Sequence, residues 1–210
     1  MDFDSFLADI YKLKEKPLGG LESQFKMAPL LRKRYSLEDI ASQKPKDSAV
    51  LALFYPDINN MTNILLMLRA SYNGVHSSQI SFPGGKKDKT DPSLRYTALR
   101  ETEEEIGIAK NDIMIFREMT KTYIPPSNFM VTPFLGLLNT KPRFKTNEEV
   151  DRLIEVNVKE LLDENSLTSK NLTTSYMKNI DVPCFRLNDY TIWGATAMML
   201  SEIKDLLISI

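Results

Sequence analysis

Three acidic residues, Glu101, Glu104 and Glu105, stand at i, i+3 and i+4 in the stretch Arg100–Gly107. At about 100° per residue on a helix they share one face, while Glu103 points well away from them. Like charges at these spacings repel by about 0.2–0.5 kcal/mol per pair in water, and by more when partly buried. A divalent cation is the natural compensation. Hard ions such as Mg²⁺ or Mn²⁺ take oxygen ligands from a few carboxylates together with substrate phosphates. Upstream lies Gly84-Gly85, where a backbone without side chains can bend and turn a carbonyl toward the same ion. Arg100 is fixed beside the acidic face and suits orienting a carboxylate better than touching substrate. The competing reading is plain: glutamates on a helix as solvated surface, and a glycine pair as a turn.

The elements that must position these residues follow from periodicity and punctuation. Apolar positions at helical spacing predict a helix over residues 2–14, ended by Pro17-Leu18-Gly19-Gly20, and a short helix begins at Ser36. Lys44-Pro45-Lys46 reads as the joint between an N-terminal helical extension, residues 1–46, and the main domain, residues 47–210. Strand-length apolar runs follow at Ala49–Tyr55, Asn63–Arg69 and Gln79–Phe82, then a helix from Ser93 to Ile106 stopped by Gly107. Further strands are predicted at Ile113–Thr122, Val131–Leu138 and Arg152–Asn157, with a short helix at Val158–Asp163. A hairpin is expected across Ser175–Arg186 with its turn near Asn179 to Pro183, and a last helix over Tyr190–Leu207. Ile192, Ala195, Met199, Ile203 and Leu206 form the stripe of that helix. The expected class is α+β, a mixed sheet sandwiched between helices.

Bulk composition narrows the function. A net charge of −1 with 42% hydrophobic and 26% charged residues describes an ordinary globular chain with no field for nucleic acid or an anionic membrane. Cys184 is the only cysteine, which rules out an intrachain disulfide and a cysteine-rich zinc site. The start, Met1-Asp2-Phe3-Asp4, has neither the basic nor the apolar part of a secretory signal. The expectation is a cytoplasmic protein.

Gly85, then Arg100-Glu101-x-x-Glu104-Glu105-x-Gly107-Ile108, resembles the Nudix box. Thr102 takes a position that is usually apolar, Pro92 stands where a glutamate is usual, and the glycine-to-arginine spacing is one residue longer. A longer set of residues is similar to the coenzyme A pyrophosphatase branch of that family, in which the extra residue is expected. It includes Leu65-Leu66-x-x-Arg69, His76-x-x-Gln79-Ile80-Ser81-Phe82-Pro83-Gly84-Gly85-Lys86-x-Asp88-x-x-Asp91, Val131-x-Pro133-x-x-Gly136-Leu137 and Ile192-Trp193-Gly194-x-Thr196-Ala197. The resemblance spans roughly residues 47–207.

That resemblance implies hydrolysis of coenzyme A or an acyl-CoA to 3′,5′-ADP and the 4′-phosphopantetheine part. The alternative within the fold is ADP-ribose, NADH or another nucleoside diphosphate derivative. Glu101, Glu104, Glu105 and the Gly85 carbonyl would hold Mg²⁺ or Mn²⁺. Glu104 is the first choice of base and Glu149 the alternative, with Arg100 assigned to the same machinery. Arg69, His76, Gln79 and Lys86 are the candidate substrate contacts. His76, the only histidine, fits a structural hydrogen bond as well as a substrate contact. Tyr123, Phe129 and Trp193 suit stacking on adenine or packing in the core. The branch usually carries a Leu-Arg pair where this chain has Asn73-Gly74, and a glycine at Ser78. Lys86, Lys87 or the triplet Arg32-Lys33-Arg34 could supply the missing cation, although such a triplet is more often a solvated loop. The partner is thus a small nucleotide, with no nucleic acid and no membrane. A homodimer is compatible, residues 1–46 serving either as its contact or as a cap on the active site.

Overall fold

The computed structural model describes residues 1–30, 32–70, 79–173 and 179–208. Helices α1 (Phe3–Glu15), α2 (Gly20–Phe25) and α3 (Leu37–Ser42) precede strands β1 (Lys46–Pro56), β2 (Thr62–Arg69), β3 (Ile80–Ser81) and β4 (Gly84–Lys86). Helix α4 (Leu94–Ile106) leads to β5 (Met114–Glu118), β6 (Thr122–Ile124), β7 (Phe129–Leu137) and β8 (Val150–Asn157). Helix α5 (Val158–Leu162), strands β9 (Leu167–Leu172), β10 (Ile180–Leu187) and β11 (Tyr190–Ile192), and helix α6 (Gly194–Ile208) complete the order.

Strand β1 organises the molecule. It pairs in parallel with β7 from Lys46↔Phe129 to Phe54↔Leu137. On its other edge it pairs antiparallel with β4 at one end and with β2 at the other. Successive side chains of a strand point to opposite faces, and both faces of β1 are covered. Ala52 and Phe54 enter one apolar cluster together with α1 and α6; Ala49, Leu51, Leu53 and Tyr55 enter a second one with Ala98 and Ile106 of α4. The sheet is therefore a middle layer between helices, an α+β arrangement as expected. Among the described residues, no helix is long and apolar enough to cross a membrane.

Residues before the Lys44-Pro45-Lys46 joint belong to the same packing. Phe3, Phe6, Ile10 and Leu13 of α1 are buried in the first cluster, and Asp2 bridges to Met61. Helix α2 docks on α6 through polar contacts. The fully buried Glu202 accepts from the Gly20 N–H at 3.0 Å, the Gln24 amide at 3.0 Å and the Thr120 hydroxyl at 2.6 Å. Three hydrogen bonds are what make such a buried carboxyl tolerable.

Three expectations need correction. The predicted strand Ile113–Thr122 is two short strands, because the Thr120 carbonyl and hydroxyl are taken by Gln24 and Glu202 instead of a neighbouring strand. The hairpin pairs β9 with β10, Leu172 opposite Ile180, so Ile180–Pro183 is strand rather than turn; residues 174–178 lie outside the described residues. Pro183 sits inside β10, facing Ser169. There β11, which pairs only Phe185 to Leu187, leaves the other edge open, and an edge accepts a residue without an N–H. Finally, Tyr190–Ile192 is a strand and the last helix starts at Gly194, whose φ of +66° breaks the chain direction. Ile192 therefore packs from β11 and not from the helical stripe.

Candidate active site

Helix α4 is capped at both ends. The Ser93 hydroxyl accepts from the Tyr96 N–H at 3.1 Å, and Gly107 closes the helix in the left-handed region at φ 73°. Thr97, Ala98, Thr102 and Ile106 are buried, Ala98 and Ile106 in the cluster beneath β1. The small Thr102, at a position the Nudix pattern usually fills with an apolar residue, returns its hydroxyl to the Ala98 carbonyl at 2.7 Å. Seating that face leaves Glu101 and Glu105 against the glycine loop.

The two glycines have separate duties. Gly84 holds φ +148°, and a Cβ there would stand 2.3 Å from the Ala49 carbonyl oxygen; its N–H donates to Glu105 Oε2 at 2.8 Å. Gly85 presses on Glu101: a Cβ would fall 2.4 Å from the carboxyl carbon. Strand pairing of β4 with Ala49 and Val50 fixes both.

The acids are held by two arginines. Arg100 grips Asp91 with two donors at 3.0 and 2.9 Å, and reaches Glu101 at 2.9 Å, Glu104 at 3.1 Å and the Lys86 carbonyl at 3.3 Å. Arg69 donates to Glu105 at 2.9 Å and to Glu149 at 3.0 Å. Glu103 turns away to pair with Lys110, as its position on the helix predicts. Burial pushes the Glu105 carboxyl up to about 7, opposed by the Gly84 N–H and Arg69. Burial likewise raises Glu101, opposed by Arg100. Buried Asp91 moves the other way, down to about 2, because Arg100 holds its charged form. Its partnership with Arg100 was not assigned from sequence, though an arginine fixed beside an acidic face needs a counter-carboxylate.

Among the described residues, no three acidic, histidine or cysteine side chains already converge on one point as ion ligands. The donor set nevertheless suits a hard dication: Glu101 and Glu105 are buried enough that their charged forms are disfavoured. A main-chain loop bare of side chains lies against Glu101. Glu104 and Glu149 are more open, with 54% and 60% of their side chains exposed, which leaves both accessible to water.

A cavity of about 590 Å³ opens on the other side of the glycine loop. Arg69, Gln79, Gly84, Gly85 and Lys86 line its near end. The Gln79 carbonyl also accepts from the Arg69 N–H at 3.1 Å. The lining also includes Arg32, Lys33 and Tyr35 from the N-terminal segment, with Phe129 and Trp193. His76, along with Asn73, Gly74 and Ser78, lies outside the described residues. Tyr123 does not line the cavity among the described residues and stacks edge-on with Tyr35 instead.

Comparison with known proteins gives a consistent result. The NUDIX domain family profile matches residues 45–176. A Nudix hydrolase of Pectobacterium atrosepticum named NudL is 33% identical over 165 residues, covering 72% of this chain and 79% of that protein. The peroxisomal coenzyme A diphosphatase ndx-8 of Caenorhabditis elegans is 27% identical over 174 residues, covering 80% and 73%. Among solved structures, a MutT/nudix family protein from Enterococcus faecalis superimposes with a TM-score of 0.54 at 12% identity, over 92% of this chain and 76% of that one.

Proposed function

This chain belongs to the Nudix hydrolase family, and from that premise we propose that it hydrolyses the diphosphate bond of coenzyme A or an acyl-CoA. The products are 3′,5′-ADP and the (acyl-)4′-phosphopantetheine. The observation that carries the reading is a junction. A helix edge bearing Glu101, Glu104 and Glu105 meets a glycine loop whose other side opens into a cavity with cationic walls. The 27% identical relative named as a coenzyme A diphosphatase supports the choice of substrate.

Glu101, Glu104 and Glu105, with the Gly85 carbonyl, would hold Mg²⁺ or Mn²⁺. When bound, the ion neutralises the diphosphate and lowers the pKa of water at the site. The residues of the chain do the rest. Arg100, anchored by Asp91, holds Glu101 and Glu104 in place. Glu104 takes the proton of the attacking water as its oxygen bonds to one phosphorus; Glu149, equally open to solvent, is the alternative base. The bridging P–O bond breaks and its electron pair leaves with the other phosphate. Arg69, Gln79 and Lys86 at the near end of the cavity face that phosphate region. The carbon chain of the substrate and its adenosine occupy the cavity and its mouth.

The reaction proceeds in the cytoplasm in this reading; imaging of a tagged chain separates that compartment from the peroxisome that a relative's name specifies. The deciding experiment is a panel of coenzyme A, acetyl-CoA, oxidised CoA, ADP-ribose and NADH with identification of products. Magnesium-dependent release of 3′,5′-ADP supports the assignment. Its absence from all three CoA substrates, with turnover of ADP-ribose or NADH, moves the enzyme to another substrate. Wild-type turnover by Glu105→Gln would remove the ion from the α4 edge.

A further inference from the structure

The described residues lining the cavity include four cations, Arg32, Lys33, Arg69 and Lys86, and not one carboxylate, in a chain whose net charge is −1. The cations stand in two groups. Arg69 and Lys86 flank the glycine loop, where the diphosphate belongs. Arg32 and Lys33 come from the segment between α2 and α3, far from that loop in sequence. A diphosphate alone gives no reason for the second group.

The segment is held firmly, and its basic triplet is divided by task. Upstream, α2 is pinned to α6 by Gln24 and Glu202. The Gln24 amide also reaches the Thr120 carbonyl, and the Thr122 hydroxyl donates to Gln24. Arg32 donates to the Tyr123 carbonyl at 2.5 Å and so ties the segment to β6. Arg34 pairs with Glu22 at 2.7 Å and lies over the Phe25 ring. Lys33, between them, makes no salt bridge among the described residues; its ammonium lies 5.4 Å from the centre of the Tyr35 ring, at the cavity wall. A lysine so placed is a mobile point charge with donors to spare, suited to a phosphate monoester. Also in the cavity lining, the Ser127 hydroxyl oxygen is buried with no hydrogen-bond partner among the described residues.

We propose that Lys33 binds a second anionic group of the substrate, a phosphate monoester distinct from the diphosphate, and that the N-terminal segment exists to carry it to the cavity. In the coenzyme A reading, on which the choice of probe rests, that group is the ribose 3′-phosphate. Residues 1–46 are then a specificity wall of the site.

The test measures binding, so that it does not depend on turnover. Titration calorimetry in magnesium compares 3′,5′-ADP with 5′-AMP on the wild-type protein, Lys33→Gln and Lys33→Arg. The wild type should bind the bisphosphate about tenfold more tightly than 5′-AMP. Lys33→Gln should bring the ratio near one without changing the affinity for 5′-AMP, and Lys33→Arg should keep most of the preference. A ratio unchanged by Lys33→Gln, or a wild type without preference, overturns the proposal. If the preference is present and Lys33-dependent but coenzyme A is not hydrolysed, the substrate assignment fails and the second anion site stands.

Discussion

Arg69 and Glu105, 36 positions apart in the chain, meet across 2.9 Å at the back of the glycine loop, with Glu105 only 2% exposed. The same guanidinium reaches Glu149 at 3.0 Å. One arginine therefore stands in for positive charge at two acids of the candidate site. An arriving dication would compete with it for Glu105.

Arg69→Gln removes that stand-in. With the ion chelated, the variant should lose about 1–3 kcal/mol of stability, because Glu105 is left buried without its cation and must take up a proton to relieve the cost. Magnesium should then raise the midpoint of urea unfolding more in the variant than in the wild type. Equal responses to magnesium would separate Arg69 from the ion-binding acids.

The paired glycines should fail in different ways. Gly84→Ala forces a Cβ to 2.3 Å from a backbone oxygen at φ +148°, so the protein should be destabilised by several kcal/mol or not fold. For Gly85→Ala the nearest atoms are the end of the Glu101 side chain, which can swing away. It should fold, melt within a few degrees of the wild type, and lose at least about tenfold in kcat with weaker metal dependence. Circular dichroism and a magnesium titration of activity check both halves.

Asp91 gives a pH signature. Its folded-state pKa is depressed to about 2 from 3.8, so its contribution is complete above the unfolded value and is lost as pH falls through about 2. Wild-type protein should exceed Asp91→Asn in stability by about 2 kcal/mol at pH 6. The gap should narrow as pH falls from about 4 and close only below about 2, read from urea midpoints across that range. A gap that holds constant with pH would mean that the Arg100 pair does not supply it.

Much of this was legible in sequence for identifiable reasons. The acidic face of α4 follows from helical periodicity, its seat from Ala98 and Ile106, and its end from Gly107. The strands of the central sheet are short apolar runs between turn residues. What stayed hidden depends on partners far away in the chain. Thr120 interrupts a strand because Gln24 and Glu202 claim it, and nothing local announces that. Pro183 reads as a turn until the open edge of β10 is known. The role of Asp91 needed the position of Arg100, and the cavity needed residues from both ends of the chain.

The clasp between α2 and α6 joins residues about 180 positions apart. During synthesis, the binding chamber therefore lacks one wall until α6 has left the ribosome. A product cut short before α6 would carry the acidic helix and glycine loop yet present an unfinished pocket, so selectivity is acquired later in folding than the ion-binding edge.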